Sequence, residues 1–174
     1  MGLGKIFGGM GRAKKYLAMS TQDLKNLDNE ELRDAISERM MKEAGRLEVK
    51  QCLEYFTGAK RVFYIVSLYE AEVSTDSLCR FLVGPGRSAA PHILGALTEI
   101  HASRHADLVR KFTDKNGIDL NDLSDLEIES SWDYEERKSR FPFDEFDEKF
   151  RALYDKESIN SRLIQYVRNH IDQF

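Results

Sequence analysis

The chain lacks most of the signals that would assign it a chemistry at once. Among its 174 residues there are two cysteines and four histidines, and no apolar run approaches the roughly 20 residues that cross a bilayer. The N-terminus carries Lys5, Arg12, Lys14 and Lys15, but its apolar residues are broken up by Gly2, Gly4, Gly8, Gly9 and Gly11, a poor signal-peptide core. Ile6 stands where N-myristoylation wants Ser or Thr. A cytoplasmic protein with no membrane association is therefore expected. Cys52 and Cys79 sit in apolar contexts without metal-type spacing. Two reduced, buried thiols are favoured over a single disulfide or a redox pair.

Catalytic signatures are missing too. There is no Gly-x-Ser-x-Gly elbow, and no Ser or Cys stands in a nucleophile signature. Gly84-Pro85-Gly86-Arg87 is a glycine-containing turn ahead of a helix where an anion could sit. It has neither phosphate-loop nor dinucleotide spacing. No catalytic residue, metal or cofactor is expected, and the chain is expected not to be an enzyme. Nothing alternates at period two over a useful length, and no hairpin dipeptide joins two apolar runs, so strands are not expected. No internal repeat or domain boundary is evident.

Helical periodicity is what remains. Asp28 and Glu31 look like a capping-box start for a helix whose stripe is Leu32, Ala35, Ile36, Met40 and Ala44, with Gly45 as its stop. A short helix over about 48–56 turns Leu53 and Phe56 inward. The run over about 59–73, with Val62, Phe63, Ile65, Val66, Leu68, Tyr69 and Val73, is apolar almost all round, the mark of a buried central helix. Further helical turns are expected over 78–82, from a Ser88 cap to about Ala102, and from a Ser103 cap to Asn116-Gly117. Residues 118–142 show no clean period and read as the longest loop, holding Trp132 and Tyr134. Phe143, Phe146, Phe150, Leu153 and Tyr154 share a face of one more helix, with Asp144, Asp147 and Glu148 outward. Ile159, Leu163, Tyr166, Val167, Ile171 and Phe174 recur at three- and four-residue steps in the last. The fold class is all-α: a single compact domain of about seven helices around a buried central helix near 59–73. It spans 20–174, and 1–19 form a flexible or loosely helical basic, Gly-rich arm in which Leu3, Ile6, Phe7 and Met10 could line one side.

Three further patterns were weighed as sites. His101 and His105, four apart on a helix, could hold a metal from one face, but they lack the Glu that follows the first His in zinc proteases. A solvated helix surface explains the pair better. The stretch 114–122 resembles a calcium loop in composition alone, and a helix C-cap followed by a polar loop is the better reading. Glu70 and Glu72 end the buried helix on different sides. There they must be paired or hydrogen-bonded, and one could cap a neighbouring helix N-terminus. A structural role is preferred over acid–base catalysis.

Charge is the strongest asymmetry. The whole chain is only −4, yet residues 118–148 hold twelve Asp or Glu against three Lys or Arg, leaving the remainder net positive. The twelve are Asp119, Asp122, Asp125, Glu127, Glu129, Asp133, Glu135, Glu136, Asp144, Glu145, Asp147 and Glu148. Such a segment repels phosphate and attracts basic surfaces, which argues against direct nucleic-acid binding. Asp144, Asp147 and Glu148 lie one turn apart, near the step between phosphates on a groove edge.

Several stretches resemble the DNA mimic protein 19-like family. They are Tyr69-Glu70-Ala71-Glu72-Val73, Leu78-Cys79-Arg80-Phe81-Leu82 and Ala96-Leu97-Thr98-Glu99-Ile100. To these add 141–150, reading Phe-Pro-Phe-Asp-Glu-Phe-Asp-Glu-Lys-Phe, and Leu163-Ile164-Gln165-Tyr166-Val167. The likeness spans about Leu47 to Phe174. One departure is Ser74-Thr75-Asp76-Ser77-Leu78, where the family has an Asn-Asn-Gly-Gly-Phe-like turn. The resemblance implies an all-helical bacterial protein, a homodimer in many members, Glu70 and Glu72 as motif residues, and no established enzyme activity. It also implies a DNA-mimic role for one member, which occupies a transcription factor. The expected function is a non-enzymatic interaction domain whose acidic C-terminal half binds a basic protein. Its rivals are an immunity protein against a toxin enzyme and a metal-dependent hydrolase using Glu70 or Glu72 with His101 and His105.

Overall fold

A computed structural model describes residues 10–128 and 130–174. It contains eleven α-helices among these residues: α1 Met10–Ala18, α2 Thr21–Lys25, α3 Asn29–Ala44, α4 Val49–Tyr55, α5 Gly58–Thr75, α6 Leu78–Val83, α7 Ile93–Glu99, α8 Ser103–Asn116, α9 Ser131–Arg140, α10 Phe143–Tyr154 and α11 Ile159–Asn169. Tighter 3₁₀ segments occupy Pro85–His92, Ser124–Leu126 and Ile171–Gln173. The described residues form no strand, and the fold is all-α. No described helix is long and apolar enough to cross a membrane.

The count exceeds the seven expected because several helices are short. Residues 88–102 do not form one helix capped by Ser88. Pro91 has no N–H to give an α-ladder, so the chain runs as 3₁₀ through His92 and α7 starts at Ile93. α1 takes up half of the expected arm. Its Tyr16 is buried against α3, whose Arg39 donates to the Tyr16 carbonyl at 3.1 Å. Residues 1–9, with Leu3, Ile6 and Phe7, lie outside the described segment.

α5 is the axis. Val62, Phe63, Ile65, Val66, Tyr69 and Val73 are all buried on it, and α4, α6, α7 and α11 pack around it. Each such side chain contributes about 1.5–3 kcal/mol on burial. The remaining layer is α8 against α7 and α10, closed by an aromatic row in which Phe112, Phe143, Phe146 and Phe150 meet ring to ring. Cys52 and Cys79 are free, buried thiols, and burial pushes Cys79 up to about 12.

Three helices take their N-terminal caps from distant residues. The Thr57 side chain makes no cap bond to α5; the Gln173 side-chain carbonyl accepts from Ala59 N at 2.8 Å instead. Gly58 makes room for this. Its φ is +53°, and a Cβ there would stand 2.5 Å from Gln173 Oε1. Asp147 Oδ1 accepts from Leu78 N at 3.0 Å, at the start of α6. Glu157 Oε2 accepts from Arg104 N and His105 N, at 3.0 and 3.3 Å, at the start of α8. A carboxylate at a helix N-terminus satisfies orphan N–H groups and meets the favourable end of the dipole.

Candidate interaction surface

Glu70 and Glu72 leave α5 on different sides, as their spacing requires. Glu70 is 6% exposed and fully partnered. Arg33 Nη2 lies 2.8 Å from its Oε2, and the Tyr154 hydroxyl donates to Oε1 at 2.8 Å. Arg33 also donates to the Asn160 side-chain carbonyl, so the pair ties α3, α5, α10 and α11 together. Burial, followed by the neighbouring Glu70, pushes the Tyr154 hydroxyl up to about 12. Glu72 lies against Gly86 at the start of the 3₁₀ segment. Gly86 could carry no Cβ, because the Glu72 carboxylate and the Phe81 ring already fill that space. Burial raises the Glu72 pKa, partly offset by the Gly86 N–H and Arg80, and Oε2 itself has no hydrogen-bond partner among the described residues.

That environment sets a pH-dependent prediction. A carboxyl with a raised folded pKa favours the native state once protonated, and this advantage is lost as pH rises through the folded pKa. Glu72→Gln imitates the protonated form. It is expected to unfold a few degrees above the wild type at pH 7, with the gap closing as pH falls toward the ordinary glutamate value of 4.5. Thermal melts at both pH values check this.

The histidines are corrected by the structure. His105 is no surface residue: it is fully buried, and its Nε2–H donates to the Glu157 carbonyl at 2.8 Å. Burial lowers its pKa and holds it neutral. His101 is exposed in the turn before α8 at φ +60°. The two therefore do not share a helix face, and no group of three or more His, Cys, Asp or Glu among the described residues could hold a metal ion. Residues 114–122 are a helix C-cap at Gly117 and a polar loop. There Asp119 and Asp122 accept from the backbone of Asn121 and Ser124, at 2.8 and 3.1 Å. The Gly84–Arg87 turn faces Glu72 of its own chain, and Arg87 reaches the Leu123 carbonyl and Glu127.

The eleven described carboxylates of this set divide into three groups. Asp147 was expected outward but is 4% exposed, because its position at α6 captures it as a cap and its burial raises its pKa. The one-turn row of Asp144, Asp147 and Glu148 thus loses its middle member. Several others are engaged locally. Asp133 closes the α9 capping box on Ser130, and Glu127 pairs with Arg87 at 3.2 Å. Glu136 pairs with Arg137 and Arg140, and Glu145 lies 3.9 Å from both Lys115 and Lys149. Asp125, Glu135, Asp144 and Glu148 are exposed, with no ion pair to their carboxylates among the described residues. Glu129 lies outside the described residues.

The segment read as a featureless loop contains α9, and α9 carries the most conspicuous surface feature. Its start was legible as Ser130-x-x-Asp133, where each side chain bonds the other's backbone N–H, and its last turn holds Arg137, Lys138 and Arg140. The period was hidden because its inward stripe is Tyr134, Arg137 and Lys138. Tyr134 donates to Asp76 at 2.9 Å, and Lys138 lies 3.8 Å from the same carboxylate. The outward positions, at steps of three, four and seven, are Trp132, Glu135, Glu136 and Ser139. Trp132 is 85% exposed. Arg137 and Arg140 also donate to the carbonyls of Glu127 and Asp125, so α9 and the acidic loop before it are held side by side.

On α10, Asp144 and Glu148 share one flank with Arg151, and Glu145 and Lys149 lie on another, with Asp155 and Lys156 just past the end of the helix. A sequence model of one protein family, described as DMP19-like protein, matches residues 54–170, from the end of α4 to the end of α11. No curated protein and no solved structure matches the chain.

Proposed function

The chain belongs to the DMP19-like protein family, and from that membership and the surface of α9 we propose a non-enzymatic interaction protein that binds a basic protein. The contact surface is the outward face of α9 together with the adjoining loop. The single observation that carries this reading is Trp132, 85% exposed with Glu135 and Glu136 one turn away on a firmly capped helix. Tryptophan is the side chain most often found as a binding hot spot, and carboxylates around it select a Lys- and Arg-rich counterpart. The DNA-binding face of a transcription factor offers such a counterpart. In that case Asp125, Glu135, Asp144 and Glu148 stand in for phosphates, carried on separate segments and not along one helix row.

Capture from the native lysate tests the proposal, with wild-type protein compared with Trp132→Ala at low and high salt. A basic partner is expected at low salt and is expected to be lost at high salt, because the charged rim is screened. Trp132→Ala is expected to weaken that partner by about 2 kcal/mol, roughly 30-fold. A partner that survives both high salt and the Trp132→Ala change would overturn the reading.

A further inference from the structure

The Lys149 side of α10 does not face open solvent alone. It lines a groove of about 570 Å³ shared with α8. The walls carry Arg104, Lys111 and Lys115 from α8 and Lys149 and Lys156 from the α10 side. Against these five cations stand two acids, Asp107 and Glu145. Asp107 is already paired with Arg110 at 2.6 Å. Glu145 is shared, at 3.9 Å each, by Lys115 and Lys149. Arg104, Lys111 and Lys156 have no ion pair among the described residues. A chain of net charge −4 thus concentrates uncompensated positive charge in this groove.

The floor is apolar. Leu108, Phe112 and Leu153 lie between the two rows of cations, and Phe112 is fixed edge-on against Phe146 at 5.3 Å. Along α8 the lining runs from Arg104 to Asn116, about 18 Å or three helical turns. A groove three turns long, with half-buried Leu108 and Leu153 in it and cations from both helices, is the complement of a short amphipathic helix whose apolar ridge is flanked by carboxylates. A small anion would need a site that encloses it. Single-stranded nucleic acid would need aromatic faces free for stacking, whereas Phe112 and Phe146 are 8% and 1% exposed.

We propose that the groove between α8 and α10 is a docking site for an acidic amphipathic helix of a partner protein. It is a second binding surface of opposite sign to α9. The geometry assigns the partner's leucine-like side chains at i, i+3 or i+4 and i+7 to the half-buried Leu108 and Leu153. Its Asp and Glu side chains meet Lys111 and Lys156 on opposite walls.

Fluorescence anisotropy of the full chain tests this with two labelled, capped peptides of about 14 residues. They share one leucine pattern and carry either Glu or Lys on the flanks. The Glu peptide is expected to bind at low salt and to weaken as salt rises, and the Lys peptide is not expected to bind. Lys111→Glu combined with Lys156→Glu, both at exposed positions, is expected to weaken the Glu peptide at least about tenfold, whereas Trp132→Ala leaves it unchanged. That last arm separates this site from the α9 surface. The proposal is overturned if both peptides bind alike or neither binds, or if the double charge reversal has no effect. It is equally overturned if a single-stranded oligonucleotide of equal charge binds more tightly in the same groove, or if sedimentation shows a second copy of the chain occupying it.

Discussion

Glu70→Ala is expected to destabilise the protein by about 3 kcal/mol, seen as a fall of roughly 6–12 °C in the thermal midpoint. The substitution leaves the Arg33 guanidinium half-enclosed without its carboxylate, and it removes the acceptor of the Tyr154 hydroxyl. Breaking one side of a buried pair costs about 3–5 kcal/mol, because the remaining charge keeps its desolvation penalty. The lower end applies because Arg33 is still 24% exposed and water can reach it. The Arg33 guanidinium carbon also lies 5.9 Å from the centre of the Phe63 ring, a cation–π contact that remains after the carboxylate has gone. Arg33→Met combined with Glu70→Leu removes both charges, and it should recover most of the loss. A double variant as unstable as Glu70→Ala would show that the pair's value lies in its hydrogen bonds and not in charge compensation.

Phe150→Ala is expected to lower stability by about 3–5 kcal/mol, the range for deleting a large buried ring. Phe150 is 2% exposed and is met edge-on by Tyr69 at 6.0 Å and His105 at 5.2 Å, and it lies near Phe146 and Tyr154. It is therefore the point where α5, α8 and α10 are packed against one another. The void would be lined by rings on three helices, of which α5 and α8 are capped by distant residues, and this limits collapse and places the loss high in the range. Urea unfolding measures it. Phe150→Leu, which refills most of the volume, should lose distinctly less. Equal losses for the two would mean that ring geometry matters more here than filled space.

These two sites show how far the sequence could be read. The stripes on α3, α5, α10 and α11 were legible because their apolar residues recur at three- and four-residue steps, and the central position of α5 followed from its all-round apolarity. Glu70 and Glu72 were legible as groups needing partners, though not which ones, since Arg33 and Tyr154 are far from Glu70 in sequence. α9 was missed because Tyr134 is the sole apolar member of its inward stripe, so no periodicity announced it. Asp147 and His105 were misplaced for a shared reason. Helical phase says which way a side chain points on its own helix; it does not say whether another helix ends there, and α6 and Glu157 supply those neighbours. Lys149 and Lys156 were visible in the sequence, but the groove they border depends on where α8 lies.

The cap that Gln173 provides to α5 has a consequence for synthesis. The acceptor lies 114 residues downstream of the N–H it satisfies. At about 5–20 residues per second, the ribosome exposes the hydrophobic axis roughly 6–23 s before its closing segment is made. Through that interval Val62, Val66 and Tyr69 are available to chaperones and to neighbouring nascent chains.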